Sequence, residues 1–140
     1  MGLAYDAHQA STANTTGADS VSLKAVNRSF LLREFIIAGL GTASAANELQ
    51  LARNTGGTIA TDLFPANTQV PSTSITKFGV AQATTVTTTL KRFGVNANGA
   101  LFRWVAAPGL AVEAGVAEQI GFRGVSGTSL LVTTATIEQM

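Results

Sequence analysis

From Val21 onward, apolar and polar positions trade places in short runs, the signature of half-buried β-strands. Val21, Leu23 and Ala25 alternate with Ser22 and Lys24, and Leu49, Leu51 and Arg53 with Gln50 and Ala52. Leu101, Arg103 and Val105 alternate with Phe102, Trp104 and Ala106. Glu118, Ile120 and Phe122 do so with Gln119, Gly121 and Arg123, and Leu131, Thr133, Ala135 and Ile137 share one face of a closing strand over Ser129–Gln139. Ser29–Gly39 is the strongest apolar segment. Its β-branched and aromatic residues favour a long strand, and Arg33-Glu34 in its middle predicts a bulge or an exposed edge. Ile75–Val80 and the threonine-rich Gln82–Phe93 complete the set.

Turn chemistry separates these runs. Asn54-Thr55-Gly56-Gly57, the Gly94–Gly99 region, Pro108-Gly109 and Ser126-Gly127 are rich in residues that tolerate positive φ or stop a strand. About eight strands between such breaks predict an all-β fold, a two-sheet antiparallel sandwich of the jelly-roll kind. Ala43–Leu51 is the one helical rival. Thr58–Ser74, punctuated by Pro65 and Pro71, reads as a long loop. A loop of that length usually has a role, so its Leu63 and Phe64 are candidates for partner contact, although in an isolated domain they would tuck under a sheet. Residues 1–19 are small and polar with only Leu3 and Tyr5 offering bulk. They are expected to form a flexible N-terminal arm ahead of a sandwich domain over 20–140. Leu3 and Tyr5 would anchor that arm if it orders on a partner, and its removal would leave the fold intact.

Composition narrows the chemistry. Charged residues make up 12% of the chain, against about 25% in an ordinary soluble domain, so little repulsion opposes packing between copies. A net charge of +1 with scattered basic residues gives no stripe for nucleic acid. No apolar run approaches the roughly 20 residues of a spanning helix, and Met1–Ala10 lacks the apolar core of a signal peptide. There is no cysteine, which excludes disulfides and thiolate metal sites. His8 is the sole imidazole and falls in the expected arm, a poor setting for a positioned base. Asp6, Asp19 and Asp62 lack the spacing of a calcium loop, and Glu113 and Glu118 read as rim charges in preference to a glycosidase pair. The chain is therefore expected not to be an enzyme and to need no metal or cofactor. Trp104 reads as a core or interface residue. Arg103 and Arg123 are candidates to pair with Glu113 or Glu118, and the Arg103 strand edge is a further candidate contact.

The stretches Ala100-Leu101-Phe102-Arg103-Trp104-Val105-Ala106-Ala107-Pro108-Gly109 and Gly124-Val125-Ser126-Gly127-Thr128-Ser129 resemble small β-sandwich proteins encoded among the virion genes of tailed bacteriophages. So do Phe30–Gly39 and Leu49–Gly57. The likeness is to capsid decoration, or cement, proteins and runs from Ser29 to Met140. It implies a jelly-roll subunit on the outer surface of an icosahedral head, binding the major capsid protein and itself as a homotrimer. The alternatives are a carbohydrate-binding module of a fibre or tail tip, which would need an aromatic platform, and a tail-tube or connector subunit.

Overall fold

The computed structural model describes residues 3–57, 61–65, 72–78 and 82–140. Twelve strands form: β1 (Leu3–Ala13), β2 (Ala18–Ala25), β3 (Phe30–Leu40), β4 (Ala46–Thr55), β5 (Thr61–Pro65), β6 (Ser72–Phe78), β7 (Gln82–Ala83), β8 (Thr85–Asn96), β9 (Asn98–Val105), β10 (Val112–Ala114), β11 (Gln119–Ser126) and β12 (Leu130–Gln139). Every strand pairing is antiparallel. Sheet A runs β9-β3-β12-β1, with β10 continuing the β9 side of β3. Sheet B runs β8-β4-β11-β2. Counted among themselves in chain order, those eight main strands lie as first, eighth, third and sixth in one sheet. In the other they lie as second, seventh, fourth and fifth. That is the jelly-roll arrangement.

The alternation seen in the sequence assigns the inner faces. Val21, Leu23 and Ala25, Leu49 and Leu51, Ile120 and Phe122 are buried on sheet B, and Leu131, Ala135 and Ile137 on sheet A. Strand β3 changes phase part-way: Phe30 and Leu32 point inward, then Phe35 and Ile37. The register against β12 slips at this point, with Leu32 opposite Ile137 and Glu34 opposite Thr136, so Arg33 is the extra residue of the expected bulge. Its guanidinium Nε donates to Glu138 Oε2 at 2.8 Å. Each large side chain moved out of water here stabilises the fold by about 1.5–3 kcal/mol.

The N-terminus departs from the arm that composition predicts. Residues 3–13 are strand β1, paired with β12 from Leu3 opposite Gln139 to Ala13 opposite Leu130. Tyr5 and Ala7 face the core and are buried. Those two apolar side chains on alternate positions dock the strand, while its backbone pairs with β12 along most of its length and with β5 at Tyr5 and Asp6. The long loop is also different: Thr58–Ser74 contains β5 and the start of β6. β5 joins the edge of sheet A beside β1, β6 joins the edge of sheet B beside β2, and the two pair with each other. This hairpin bridges the two sheets along one side. The helical rival over Ala43–Leu51 is strand β4 from Ala46 onward.

On the face of sheet B turned away from the core lies a buried polar group. Asp19 is fully buried and accepts hydrogen bonds from Ser22 Oγ and Asn54 Nδ2, and from Thr84 Oγ1 at 2.8 Å. Arg123 Nη1 donates to the Thr84 carbonyl and to its hydroxyl at 3.2 Å. Gln119 Nε2 reaches the Gly56 carbonyl at 3.0 Å. The group thus binds both the exit and the return of the inserted hairpin to the sheet. Gly121 leaves it room, since a Cβ there would lie 1.9 Å from Asp19 Oδ2.

Three outcomes follow, all read by urea unfolding. Gly121→Ala should lower stability by about 3 kcal/mol through overpacking. Gly99→Ala meets nothing within 4 Å and strains only a φ of +65°, so it should cost about 1 kcal/mol. Deleting residues 1–13 should abolish the cooperative transition, because it removes the strand between β12 and β5.

Candidate interaction surfaces

The side chains that carry candidate catalytic or metal chemistry are dispersed over the described residues. His8 sits in β1 opposite Thr134, a strand position and not a frayed end, while its side chain lies outside the described residues. No group of three or more His, Cys, Asp or Glu side chains converges on a point among those described. Asp6 accepts from Thr136 Oγ1 at 2.9 Å, and Asp19 is enclosed in its own polar group. Asp62 lies in β5, its side chain outside the described residues. Glu118 binds Arg53 at 2.9 Å and the Gly115 amide at 2.7 Å, and Arg53 also donates to the Glu113 carbonyl oxygen at 2.8 Å. The depression beside that ion pair, lined by Asn54, Thr55, Thr87 and Gln119 among others, holds ≈ 180 Å³. A second, beside Asn47 and Val95, holds ≈ 200 Å³. Small-molecule sites usually run from about 300 to 1,000 Å³.

The expected partners of the arginines are replaced by others. Arg103 Nε donates to Glu34 Oε1 at 2.7 Å, within sheet A. That hydrogen bond holds the Glu34 carboxyl below its ordinary range and raises the arginine further. Arg123 turns to Thr84, not to Glu113 or Glu118. Asp19 moves the opposite way: burial pushes its carboxyl up, and the bonds from Ser22, Thr84 and Asn54 offset only part of that.

The candidate contact residues are dispersed. Tyr5 is 3% exposed and belongs to the core, so its ring is not available to a partner. Leu3 lies at the start of β1 and Leu63 and Phe64 in β5, with side chains outside the described residues. Arg103 is on the surface of β9. Trp104, on the opposite face of that strand, is half-buried and stacks on Phe35 with centroids 5.4 Å apart. Lys91 Nζ lies 5.1 Å from its ring centroid, reaching across from β8. An indole held between a phenylalanine and an ammonium is not an open stacking platform.

The faces themselves remain. Outside sheet A, register rows bring Leu101, Ala38 and Val132 together, then Arg103, Ile36 and Thr134. This surface is apolar and hydroxyl-bearing, with few charges. At the margin of sheet B, β8 presents exposed Thr85, Thr87, Thr88 and Thr89, followed by Lys91 and Arg92. The apolar character of the sheet A face was legible in the alternation of β9. Its width was not, because it depends on which strands lie side by side. No protein-family model matches the chain, and no curated protein matches it.

Asp19 gives a pH signature. A folded-state carboxyl raised by burial makes the native state hold its proton longer than the unfolded chain does. Stability therefore falls as pH rises from the ordinary value of 3.8 through the folded value, and levels off above it. Measured against Asp19→Asn, which keeps the shape and cancels the opposite trend of Glu34, the parent should lose relative stability across that window and nowhere else.

Proposed function

We propose that this chain is a structural virion protein, a decoration subunit that binds the outer surface of a tailed-phage head and stabilises it. The observation that supports this most is the jelly-roll sandwich itself, with its broad, weakly charged faces. Such a body works by burying surface. An interface of about 1,600 Å², repeated by symmetry over a shell, raises the barrier to rupture without any reaction. The likeness of Phe30–Gly39, Leu49–Gly57, Ala100–Gly109 and Gly124–Ser129 to decoration proteins points the same way. In this reading the partners are the major capsid protein and further copies of the chain, with trimers at threefold positions, and the site of action is the outside of the capsid. Jelly rolls also serve as sugar-binding domains. The stacking of Trp104 on Phe35 under Lys91 weighs against that use, since it occupies the faces of that indole.

Heads lacking the protein should bind the purified chain saturably in co-sedimentation, and the decorated heads should release DNA at a higher temperature than bare ones. Saturable binding to purified tails instead would replace this reading with the tail-tube one. Binding to neither, with retention on glycan arrays, would replace it with the carbohydrate one.

A further inference from the structure

The sandwich is closed along one side by the β5–β6 hairpin and open along the other, where β8 and β9 form the margins. An open strand edge offers unpaired N–H and C=O groups to any other chain, and stable proteins blunt such edges with lysine, bulges or proline. The β8 margin is blunted: Lys91 and Arg92 are exposed on it, and its register against β4 slips twice. The β9 margin is not. Among the described residues β9 pairs only with β3, and from Leu101 to Val105 its register is unbroken. It contains no proline and no lysine. Exposed apolar side chains also gather here. Leu101 (65% exposed), Val105 (54%), the neighbouring Leu40 (50%) and Leu110 (70%), in the turn just past β9, are four of the eight large ones among the described residues.

We infer that the β9 edge is a self-association surface, and that its occupant is β9 of a second copy of this chain, antiparallel about a twofold axis through Phe102. Three features select a second copy. The first is shape: this register sets Phe102 beside Phe102 of the second copy and each Trp104 beside the small Ala100, large against small. On the outer face it sets each Leu101 beside the aliphatic stem of Arg103. The second is charge. Strand β9 itself carries one charged side chain, Arg103, paired with Glu34, and this register keeps the two guanidinium groups from facing each other, while Lys91 is engaged over the Trp104 ring. With a net charge of +1, the copies as wholes hardly repel. The third is area: five residues of edge pairing bury too little for the roughly 800 Å² per partner of a stable interface, and Leu40, Val105 and Leu110 supply adjoining apolar surface. The contact does not rest on the virion reading. A trimer formed through another face would use it to join its neighbours.

The absence of cysteine gives a clean test. In this register Leu101 and Arg103 of the second copy are directly opposite, within disulfide reach, while Leu101–Leu101 and Arg103–Arg103 pairs lie diagonally, too far apart. The doubly substituted chain, Leu101→Cys with Arg103→Cys, should oxidise to a covalent dimer, and each single variant should not. Leu101→Lys, at an exposed position, should leave the circular dichroism unchanged and weaken association about tenfold or more in sedimentation equilibrium. Failure of the double variant to cross-link, equal cross-linking by a single one, or an association unchanged by Leu101→Lys would each overturn the proposal, whatever the capsid experiment shows.

Discussion

Aromatic contact between the two sheets centres on one phenylalanine, with Phe93 of β8 also stacked on Phe102 of β9 at 4.8 Å. Phe35 of β3 meets Phe93 of β8 at 5.3 Å and Phe122 of β11 at 4.9 Å, both on the opposite sheet. It also stacks on Phe102 and Trp104 of its own neighbour β9. Tilted and edge-on contacts of this kind add about 0.5–1.5 kcal/mol each beyond the area they bury. The position depends on the bulge at Arg33, for without that extra residue Phe35 would point to solvent and Glu34 into the core. One unpaired backbone position thus decides which face of the central strand is inside. The open margin inherits its order from this group, because Phe102 and Trp104 hold β9 in place through it.

Around this apolar centre the sandwich is pinned by polar groups that need close approach. Asn14 Nδ2 donates to the Ser126 carbonyl at 2.7 Å, and Asn47 Oδ1 accepts from the Ser129 amide at 3.2 Å, both nearly buried. A Cβ at Gly124 or Gly127 would strike one or other asparagine oxygen at 2.3 Å. Asp19 and Gly121 repeat the arrangement on the far face of sheet B. In each case glycine admits a side chain from a segment remote in sequence, and the amide or carboxyl joins segments that hydrophobic packing alone would leave adjustable.

Much of this was legible in the chain. Alternation identified the inward residues of β2, β4, β11 and β12, and Arg33-Glu34 marked the bulge. What escaped reading depended on partners remote in sequence. β1 looks like a tail because Gln9, Ser11 and Thr12 hide the inward step from Tyr5 to Ala7, and the register slip between Gln9 and Thr12 breaks the period. β5 is short and ends on a proline, which reads as a loop. Asp19 gave no signal, since its hydrogen-bond donors include residues 54 and 84, which are brought to it only when β4 and the return of the hairpin are placed. The partner of Arg103 was missed for the same reason: Glu34 becomes its neighbour only through the β3–β9 register.

The hairpin has a mechanical consequence. By joining β1 to β2 through β5 and β6 it turns two stacked sheets into one folded ribbon with a single seam, between β8 and β9. A ribbon of this form has two free ends instead of four. Thermal opening that begins at the free ends of the ribbon must start at that seam and travel inward across the strands, so amides of β1 and β2, far from it, exchange later than those of β8 and β9. Chain connectivity guards even the seam, because β8 and β9 are joined through Ala97 alone, whose carbonyl accepts the Gly41 amide at 2.7 Å. The shortest crossing between the sheets is therefore a stitch across the one place where they could part.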